Sequence, residues 1–395
     1  MRPLHRGLFM AVVLLAPVAA TVPTAAAVTG CASSVPYTAA HDGYDTYRIP
    51  AVVRTPDGGV LAFAEGRRDG AGDSGDIDVV VRRSGDGGCT WGPVDVVATG
   101  EGDTRGNPAP VVDPATGDVV LLTSYNSGRV SEAQIMRGEV TQAQGRRVFV
   151  QRSDDGGGSF SAPREITGQV KAPGWRWYAT GPGHAVALTR GPYRGRLVVA
   201  ANHSAAPPAG SADTGQEPRW YGAHALYSDD GGVSWRIGFV DDTYDGVDNA
   251  NESSAAELPD GRVYFSARDQ HGTGTGNRLD TYSPDGGESL ARPYAVQHSL
   301  DDVPIVQGSV LQMPDGGPLL FSGPSVPTAR QSMALWSSAD DGLGFRRALT
   351  LSGQRAAYSD LVPLGRETVG ILYETGVSGA YETIEFRRLS PGDLG

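Results

Sequence analysis

The sequence predicts an all-β fold, and specifically a β-propeller of six blades, from three observations. A turn motif, S-x-D-x-G-x-[ST]-[WF], recurs in five copies at intervals of 55 to 75 residues. This spacing fits one motif for each blade of four strands, with one blade lacking it. Each copy follows a run of strand-type residues, such as residues 77–83, and long stretches with the 3.6-residue period of a helix are almost absent.

The repeated motif indicates the turn of a hairpin. Complete copies begin at Ser84, Ser153 and Ser228, and degenerate copies begin at Ser283 and Ser338. The aspartate can accept hydrogen bonds from neighbouring backbone amides, and the glycine supplies a positive φ. The terminal aromatic residue packs back onto the blade. We therefore expect these aspartates to be structural and not catalytic.

Composition limits the classes of function. The 395 residues carry a formal net charge of -12, which disfavours nucleic acid or an anionic membrane as the main partner. Lys171 is the only lysine, so Schiff-base chemistry is not expected. The histidines lack the spacing of metal ligands, and we expect neither a metal nor another cofactor. The chain is 39% hydrophobic and has no internal linker, which indicates a single domain.

The N-terminus has the features of an export signal. Arg2 and Arg6 precede an apolar run over residues 8–20 that is short for a membrane span, and residues 25–27 fit an A-x-A cleavage site. We therefore expect the protein to be secreted, and no later stretch is long and apolar enough to predict insertion into a membrane. The expected segments are a secretory signal peptide at 1–27, an N-terminal tail at 28–40 and a single β-propeller domain at 41–395.

The chain has two cysteines, Cys31 and Cys89. Both would remain after cleavage and enter an oxidising compartment, where a disulfide could tie the N-terminal tail to the first blade. The competing interpretation takes residues 28–31 as a lipoprotein cleavage site, with Cys31 lipidated.

A second motif lies at the start of the predicted domain. Tyr47-Arg48-Ile49-Pro50 precedes an apolar strand at residues 51–53 and the first turn motif. In this order the two motifs resemble the bacterial sialidases (neuraminidases) of glycoside hydrolase family 33, in which the turn motif is called the Asp-box or BNR repeat. The resemblance extends from His41 to Arg388. It implies a six-bladed propeller that acts as a retaining exo-α-sialidase on sialylated glycans, and we expect a monomer.

The resemblance implies three arginines that bind the carboxylate of sialic acid. The planar guanidinium group suits bidentate binding of a carboxylate and keeps its charge at any physiological pH. The matching positions are Arg48, Arg268 and Arg330. Without the motifs, a surface arginine would be the ordinary interpretation of each. Glu374, in Leu372-Tyr373-Glu374, resembles the glutamate that holds the first arginine in place.

The resemblance also implies a nucleophilic tyrosine, Tyr358, with Glu252 as its base; Glu257 is the competing position for the base. A neutral phenol can approach the substrate's carboxylate, whereas a carboxylate nucleophile would be repelled by it, and sialidases are known exceptions to the two-carboxylate scheme. The phenol must then lose its proton to an adjacent base.

The acid/base position in the resembling loop, residues 72–77, is Asp73. Asp69 and Asp76 lie close enough in sequence to compete, and Asp76 is expected to begin a strand. A general acid here needs its pKa raised by burial or by the approaching substrate.

Other segments and functions remain as alternatives. Residues 106–110 and 178–184 resemble segments that line the sugar pocket in sialidases, although both also suit turns. The rival functions are a trans-sialidase, a glycan-binding propeller without catalysis, and an Asp-box glycosidase that acts on neutral glycans with two carboxylates.

Overall fold

The computed structural model describes Met1 and residues 31–393. Apart from Met1, the predicted signal peptide lies outside the described residues. Regular structure is almost entirely β-strand, which confirms the predicted all-β class. Two short α-helices are α1 (Glu132–Arg137) and α2 (Thr167–Val170). Short 3-10 helices occupy Gly191–Tyr193, Pro218–Trp220, His298–Leu300, Pro314–Gly316 and Pro391–Asp393.

The strands form four hydrogen-bonded sheets, which divide along the chain into six antiparallel groups, with β1 joining the last group. Group 1 contains β2 (Thr46–Arg54), β3 (Val60–Arg67), β4 (Ile77–Ser84) and β5 (Asp95–Ala98). Group 2 contains β6 (Thr104–Val112), β7 (Val119–Asn126), β8 (Arg147–Ser153) and β9 (Arg164–Glu165). Group 3 contains β10 (Trp175–Thr180), β11 (Val186–Ala187), β12 (Leu197–Ala205), β13 (Tyr221–Ser228) and β14 (Arg236–Val240).

The second half of the chain repeats the pattern. Group 4 contains β15 (Ala250–Glu257), β16 (Val263–Asp269), β17 (Arg278–Ser283) and β18 (Ala295–Val296). Group 5 contains β19 (Ser309–Gln312), β20 (Leu319–Val326), β21 (Ala329–Ser338) and β22 (Arg346–Thr350). Group 6 contains β23 (Arg355–Pro363), β24 (Val369–Gly376), β25 (Thr383–Leu389) and β1 (Ser33–Thr38). Single residue pairs, Ile77 with Thr104 and Gln331 with Arg355, join groups 1 and 2 and groups 5 and 6.

The apolar core is divided among the groups. Five buried clusters each draw residues from two consecutive groups, and one of them joins group 6 to group 1. In that cluster, Phe386 of β25 packs with Ala62 of β3 and Val52 of β2. A further cluster is built mainly from groups 4 and 5 and also includes residues of groups 1 and 6. The first strands of the groups are also neighbours: β2 contacts β6 and β23, β6 contacts β10 and β11, β15 contacts β11 and β19, and β19 contacts β23.

The repeated turns form as predicted. Asp86 accepts hydrogen bonds from the backbone amides of Cys89 and Thr90, both at 2.9 Å, and from the Thr90 hydroxyl at 2.7 Å. Gly88 has a φ of 91°, and a Cβ atom there would lie 2.0 Å from the Phe386 ring, so only glycine fits. The aspartates of the other copies accept equivalent hydrogen bonds. Their carboxylates are therefore occupied by the turn.

The N-terminal segment is part of the sheet. Residues 33–38, which the sequence assigned to a tail, form β1 and pair antiparallel with β25. Cys31, just before β1, is disulfide-bonded to Cys89 in the first repeated turn. The disulfide therefore fixes the edge strand of group 6 to group 1. Across residues 31–393, no helix combines the length and the apolar character that crossing a membrane would require.

Replacing both cysteines by serine is expected to lower the free energy of unfolding by about 2–4 kcal/mol, because the disulfide restricts the unfolded chain over a long loop. Denaturant unfolding of the C31S/C89S variant against the wild type measures this difference. A reductant serves as the control, since it should lower the wild-type midpoint and leave the variant unchanged. Equal midpoints for the two oxidised proteins would show that the disulfide adds no stability.

Candidate active site

A polar cavity of about 230 Å³ brings together residues from distant parts of the chain. Its walls carry far more polar than apolar side chains, and charged groups of both signs face it. The six residues that the sequence assigned to binding or catalysis all line it: Arg48, Asp73, Glu252, Arg268, Arg330 and Tyr358.

Irregularities in the first strands present Arg48, Glu252 and Tyr358 to the cavity. The strand register shifts between Arg48 and Ala51 in β2 and between Ala356 and Ser359 in β23. Similar shifts occur in β6 and β15, next to residues of the same cavity. A bulge bends the strand and re-aims the residues within it. Ile49, inside the β2 bulge, has a φ of 59°, a conformation that is uncommon for a branched residue.

Arg48 is held from behind by Glu374, which is fully buried on β24. The Nε atom of Arg48 donates to Glu374 Oε1 at 3.2 Å, and its Nη2 donates to Oε2 at 3.5 Å. Glu374 also accepts hydrogen bonds from the backbone amides of Ile49 at 2.8 Å and Tyr358 at 3.0 Å. Burial alone would lower the pKa of Arg48, but the charge of Glu374, with smaller contributions from Tyr358, Tyr381 and Asp73, outweighs burial and raises it. The guanidinium group therefore stays charged and fixed in orientation.

Tyr358 and Glu252 form a close phenol–carboxylate pair. The Tyr358 hydroxyl lies 2.7 Å from Glu252 Oε1 and 2.8 Å from Oε2. Arg268 contacts both partners, because its Nη1 donates to the Tyr358 hydroxyl at 3.2 Å and lies 2.7 Å from Glu252 Oε2. Asn251 accepts a further hydrogen bond from Arg268 Nη2 at 3.3 Å.

The electrostatic environment of Tyr358 contains opposing contributions. Burial and the negative charge of Glu252 raise the pKa of the phenol, while the charges of Arg268, Arg48 and Arg330 lower it. The net pKa lies above the ordinary value for tyrosine, so the unliganded site holds a protonated phenol. Its proton is already shared with a base within hydrogen-bond distance.

Arg330, near the start of β21, completes the cationic side of the cavity. The Cζ atoms of Arg48 and Arg330 lie 5.1 Å and 5.6 Å from the centre of the Tyr358 ring. Arg330 Nη1 donates to the Tyr381 hydroxyl at 3.0 Å, and the Tyr381 ring lies 4.2 Å from Arg48 Cζ. Three guanidinium groups therefore lie around Tyr358, an arrangement that suits a carboxylate ligand.

Asp73 lies at the mouth of the cavity, with 66% of its side chain exposed. Arg67 Nη1 donates to its Oδ1 at 2.8 Å, and Arg48 Nη1 lies 3.5 Å from the same oxygen. Partial desolvation at the cavity mouth raises the pKa of Asp73, but the charges of Arg67 and Arg48, with the hydrogen bond from Arg67, outweigh it. The net pKa lies below the usual value for an aspartate.

The positions that competed with these residues lie elsewhere. Asp69 is exposed, and Asp76 precedes β4 and accepts a hydrogen bond from the Gly102 amide at 3.3 Å. Glu257 accepts hydrogen bonds from the backbone amides of Thr189 at 2.8 Å and Arg190 at 2.9 Å. It lies on a second, mostly apolar cavity of about 420 Å³, at the far ends of the first strands.

The two segments that also suited turns each contribute one residue to the polar cavity. Asn107, from residues 106–110, lines the polar cavity, and so does Ala179 from residues 178–184. His184, at the end of the second segment, lies on the second cavity instead. The resemblance of both segments to pocket-lining segments is therefore supported for one residue of each.

Sequence reasoning missed several residues of the polar cavity. Arg67 is held by a salt bridge to Glu65, two positions earlier on β3, at 2.6 Å. Arg146 donates to Asn107 at 3.0 Å, and its Cζ lies 3.6 Å from the centre of the Trp177 ring. The Glu65–Arg67 spacing was the only local signal, because side chains two apart on a strand share a face. The other missed lining residues are Thr104, Glu132, Asn202, Asn251 and Gln270.

The arrangement provides a cationic wall, a phenol paired with a base, and a carboxyl group at the mouth. Within the described part of the chain, no cluster of three or more His, Cys, Asp or Glu side chains is arranged to hold a metal ion. The side chains that line the cavity are of types that can bind an anion, attack as a nucleophile and transfer a proton.

The sequence matches a known protein family and several characterised relatives. The family model of the BNR repeat-like domain matches residues 58–371. A sialidase from Micromonospora viridifaciens is 32% identical over 353 residues, which cover 86% of this chain and 51% of that protein. An exo-alpha-sialidase from Aspergillus fumigatus is 30% identical, and the match covers 88% of this chain and 84% of that protein.

Among solved structures, the Hadza microbial sialidase Hz136 is similar, with a TM-score of 0.77 and 25% sequence identity. That match covers 92% of this chain and 69% of the other. The chain spans about half the length of the Micromonospora relative and most of the Aspergillus one. The matched domain and the extent of identity to these relatives show that the chain belongs to the sialidase family of BNR-repeat proteins.

Proposed function

We propose that the protein hydrolyses terminal sialic acids from sialylated glycans, with retention of configuration and through a glycosyl-tyrosine intermediate. The observation that carries this proposal is the Tyr358 hydroxyl, which lies within 2.8 Å of both carboxylate oxygens of Glu252. Three arginines surround the same phenol. A site built for a neutral sugar has no use for that much positive charge.

The arginines supply the substrate's binding energy. Sialic acid carries a carboxylate on its anomeric carbon, so an anion bound by Arg48, Arg268 and Arg330 places that carbon next to Tyr358. The guanidinium of Arg48 is already oriented by Glu374, and binding therefore costs little side-chain entropy.

The charged groups around Tyr358 favour its attack on the anomeric carbon. Glu252 accepts the phenolic proton as the Tyr358 oxygen attacks the anomeric carbon, and the arginines stabilise the developing phenolate. The bond to the leaving oxygen breaks in the same step, with a proton supplied by Asp73. Water then attacks the anomeric carbon from the face that the aglycone left, opposite the tyrosine, and the bond to the tyrosine oxygen breaks. Asp73 accepts the water's proton, and Glu252 returns the proton to the phenolate.

Asp73 must be protonated when the substrate reacts, although its pKa is low in the free site. The substrate's carboxylate neutralises positive charge at Arg48, and the aglycone displaces water from the cavity mouth. Both changes raise the pKa of Asp73 towards that of a general acid. Activity on natural glycans is accordingly expected to fall as the pH rises, because fewer molecules then carry the proton.

We also infer that the six strand groups are the blades of a β-propeller, with the two cavities at opposite ends of its axis. The cluster that joins group 6 to group 1 supports a closed ring, as do the contacts among the first strands. In four of those strands, early residues line the polar cavity and late residues line the apolar one. The export signal predicted at 1–27 and the disulfide support secretion.

The first test follows hydrolysis of sialyllactose by proton NMR. Retention predicts that the α-anomer of free sialic acid appears first and then converts to the β-anomer in solution. An initial β-product would rule out the double displacement. Binding without turnover would instead indicate a glycan-binding protein, and transfer to added lactose in place of water would indicate a trans-sialidase.

Replacement of Tyr358 by phenylalanine is expected to lower kcat by at least ~100-fold, because the ring remains but the attacking oxygen is removed. Steady-state kinetics with an aryl sialoside measures this effect. Tyr381→Phe is the matched control, since it removes a hydroxyl that contacts Arg330 and leaves the attacking group in place. Similar losses in the two variants would argue against Tyr358 as the nucleophile.

Asp73→Asn is expected to affect substrates according to their leaving group. For sialyllactose, kcat/KM should fall by about 10²–10⁴-fold, because the departing alkoxide needs a proton. An aryl sialoside with an acidic phenol should lose much less in the bond-breaking step. Asp69→Asn, on the same loop, serves as the control. Equal losses on the two substrates would remove Asp73 from the role of general acid.

A further inference from the structure

Asp360 lies two residues after Tyr358 on β23 and is completely buried. Its Oδ1 accepts hydrogen bonds from the Ser309 hydroxyl at 2.8 Å and from His184 Nδ1 at 2.7 Å. Its Oδ2 accepts from the backbone amides of Val52 and His184, both at 2.8 Å. One carboxylate in group 6 is therefore bonded to groups 1 and 5 and to the loop that follows β10 in group 3.

His184 is the only side chain among these partners that carries a titratable group, and 10% of it is exposed. Its ring lies on the apolar cavity, at the opposite end of the first strands from the sugar site. Burial lowers the pKa of His184, but the charge of Asp360 and their hydrogen bond outweigh burial and raise it. The two residues therefore form a hydrogen-bonded pair that is largely shielded from solvent.

The residue between Tyr358 and Asp360 is also held by side-chain contacts. The Ser359 amide donates to Gln307 Oε1 at 3.1 Å, and its carbonyl accepts from Gln307 Nε2 at 3.0 Å. The Ser359 hydroxyl lies 2.8 Å from that of Ser322. Together with the bond from the Tyr358 amide to Glu374, these contacts hold three consecutive residues.

The strand ladder is interrupted at Tyr358 itself. The register between β23 and β24 shifts between Ala356 and Ser359, so the ladder steps over Tyr358 and resumes at Ser359 and Asp360. The position of Tyr358 therefore depends on the bond of its own amide to Glu374 and on how firmly these two neighbours are held. A displacement of about 1 Å at a reacting group can cost about 100-fold in rate.

We propose that His184 and Asp360 are positioning residues for Tyr358, fixing the height of the phenol beneath the substrate's anomeric carbon. The proposal rests on the nucleophilic role of Tyr358 given above. His184 acts from the far cavity, through the Asp360 carboxylate and two residues of β23. It contributes to formation of the glycosyl-tyrosine bond and leaves the arginine contacts with the carboxylate unchanged.

The test compares three variants of the full chain. His184→Leu removes the Nδ1 donor, and His184→Asn restores an amide donor in nearly the same place. Glu257→Gln changes a carboxylate on the same apolar cavity that is bonded to Thr189 and Arg190. The readouts are kcat, the pre-steady-state rate of intermediate formation, and the Kd of an unsaturated sialic acid analogue, all corrected for the folded fraction by thermal unfolding.

His184→Leu is expected to lower kcat and the rate of intermediate formation together by about 10- to 100-fold, with the analogue's Kd within about twofold of wild type. His184→Asn should recover most of the lost rate, and Glu257→Gln should match wild type. If His184→Leu does not fold, Ser309→Ala removes one donor to Asp360 and is expected to give a smaller loss of the same kind.

Three results would overturn the inference: wild-type kcat in His184→Leu, equal losses in rate and analogue affinity, or no recovery in His184→Asn. In the event that the His184→Leu variant does not fold, an unchanged kcat in Ser309→Ala would overturn it. An inactive wild-type protein would instead remove the proposed function, so the two failures are distinguishable.

Discussion

The buried carboxylate of Glu374 connects Arg48 to Tyr358 through hydrogen bonds. It binds the guanidinium of Arg48 on one side and the amides of Ile49 and Tyr358 on the other. A buried charge is tolerated only when it is fully paired, and removing one partner of such a pair costs about 3–5 kcal/mol. Because Glu374 has all its hydrogen-bond partners within the site, Arg48 and Tyr358 are held in a fixed relation to each other.

The placement of side chains around the cavity also explains why the first strands are irregular. A regular strand alternates its side chains between two faces, so it can point only every second side chain into the cavity. The bulges in β2, β6, β15 and β23 break that alternation at the level of the cavity. The same first strands also contribute buried residues to the apolar clusters, such as Val52 of β2 and Val111 of β6. Each of these strands therefore serves both the core and the cavity.

Much of the fold could be predicted from the sequence because its signals are local. The aspartate and glycines of each repeated turn act within eight residues, so their motif located five of the six groups. The strand β1 carries no such signal, since its partner β25 is at the other end of the chain. An edge strand is defined by the surface that it meets, and the sequence assigned it to a tail.

The candidate site could be predicted where the chain resembles a known motif and not elsewhere. All seven residues expected from the resemblance lie in or directly behind one cavity, although their catalytic roles stay predictions. Glu252 and Glu257 are separated by about 17 Å along an extended strand, which is why only one of them meets Tyr358. Arg146 was missed because its partners Asn107 and Trp177 are distant in the sequence and only the fold brings them near. For Arg67, the spacing from Glu65 was the only local signal. The contacts of Asp360 with Val52, His184 and Ser309 were missed because these residues are also distant from it in the sequence.

The central claim is that the phenolic oxygen of Tyr358 forms the covalent bond to the sugar. A sialic acid with fluorine at the anomeric carbon and at its neighbour forms the covalent intermediate and releases it slowly, so the adduct can be mapped by peptide mass spectrometry. The expected result is one added sugar, on the peptide that contains Tyr358. A label on the peptide of Glu252 or Asp73, or turnover of the reagent without any adduct, would contradict the mechanism.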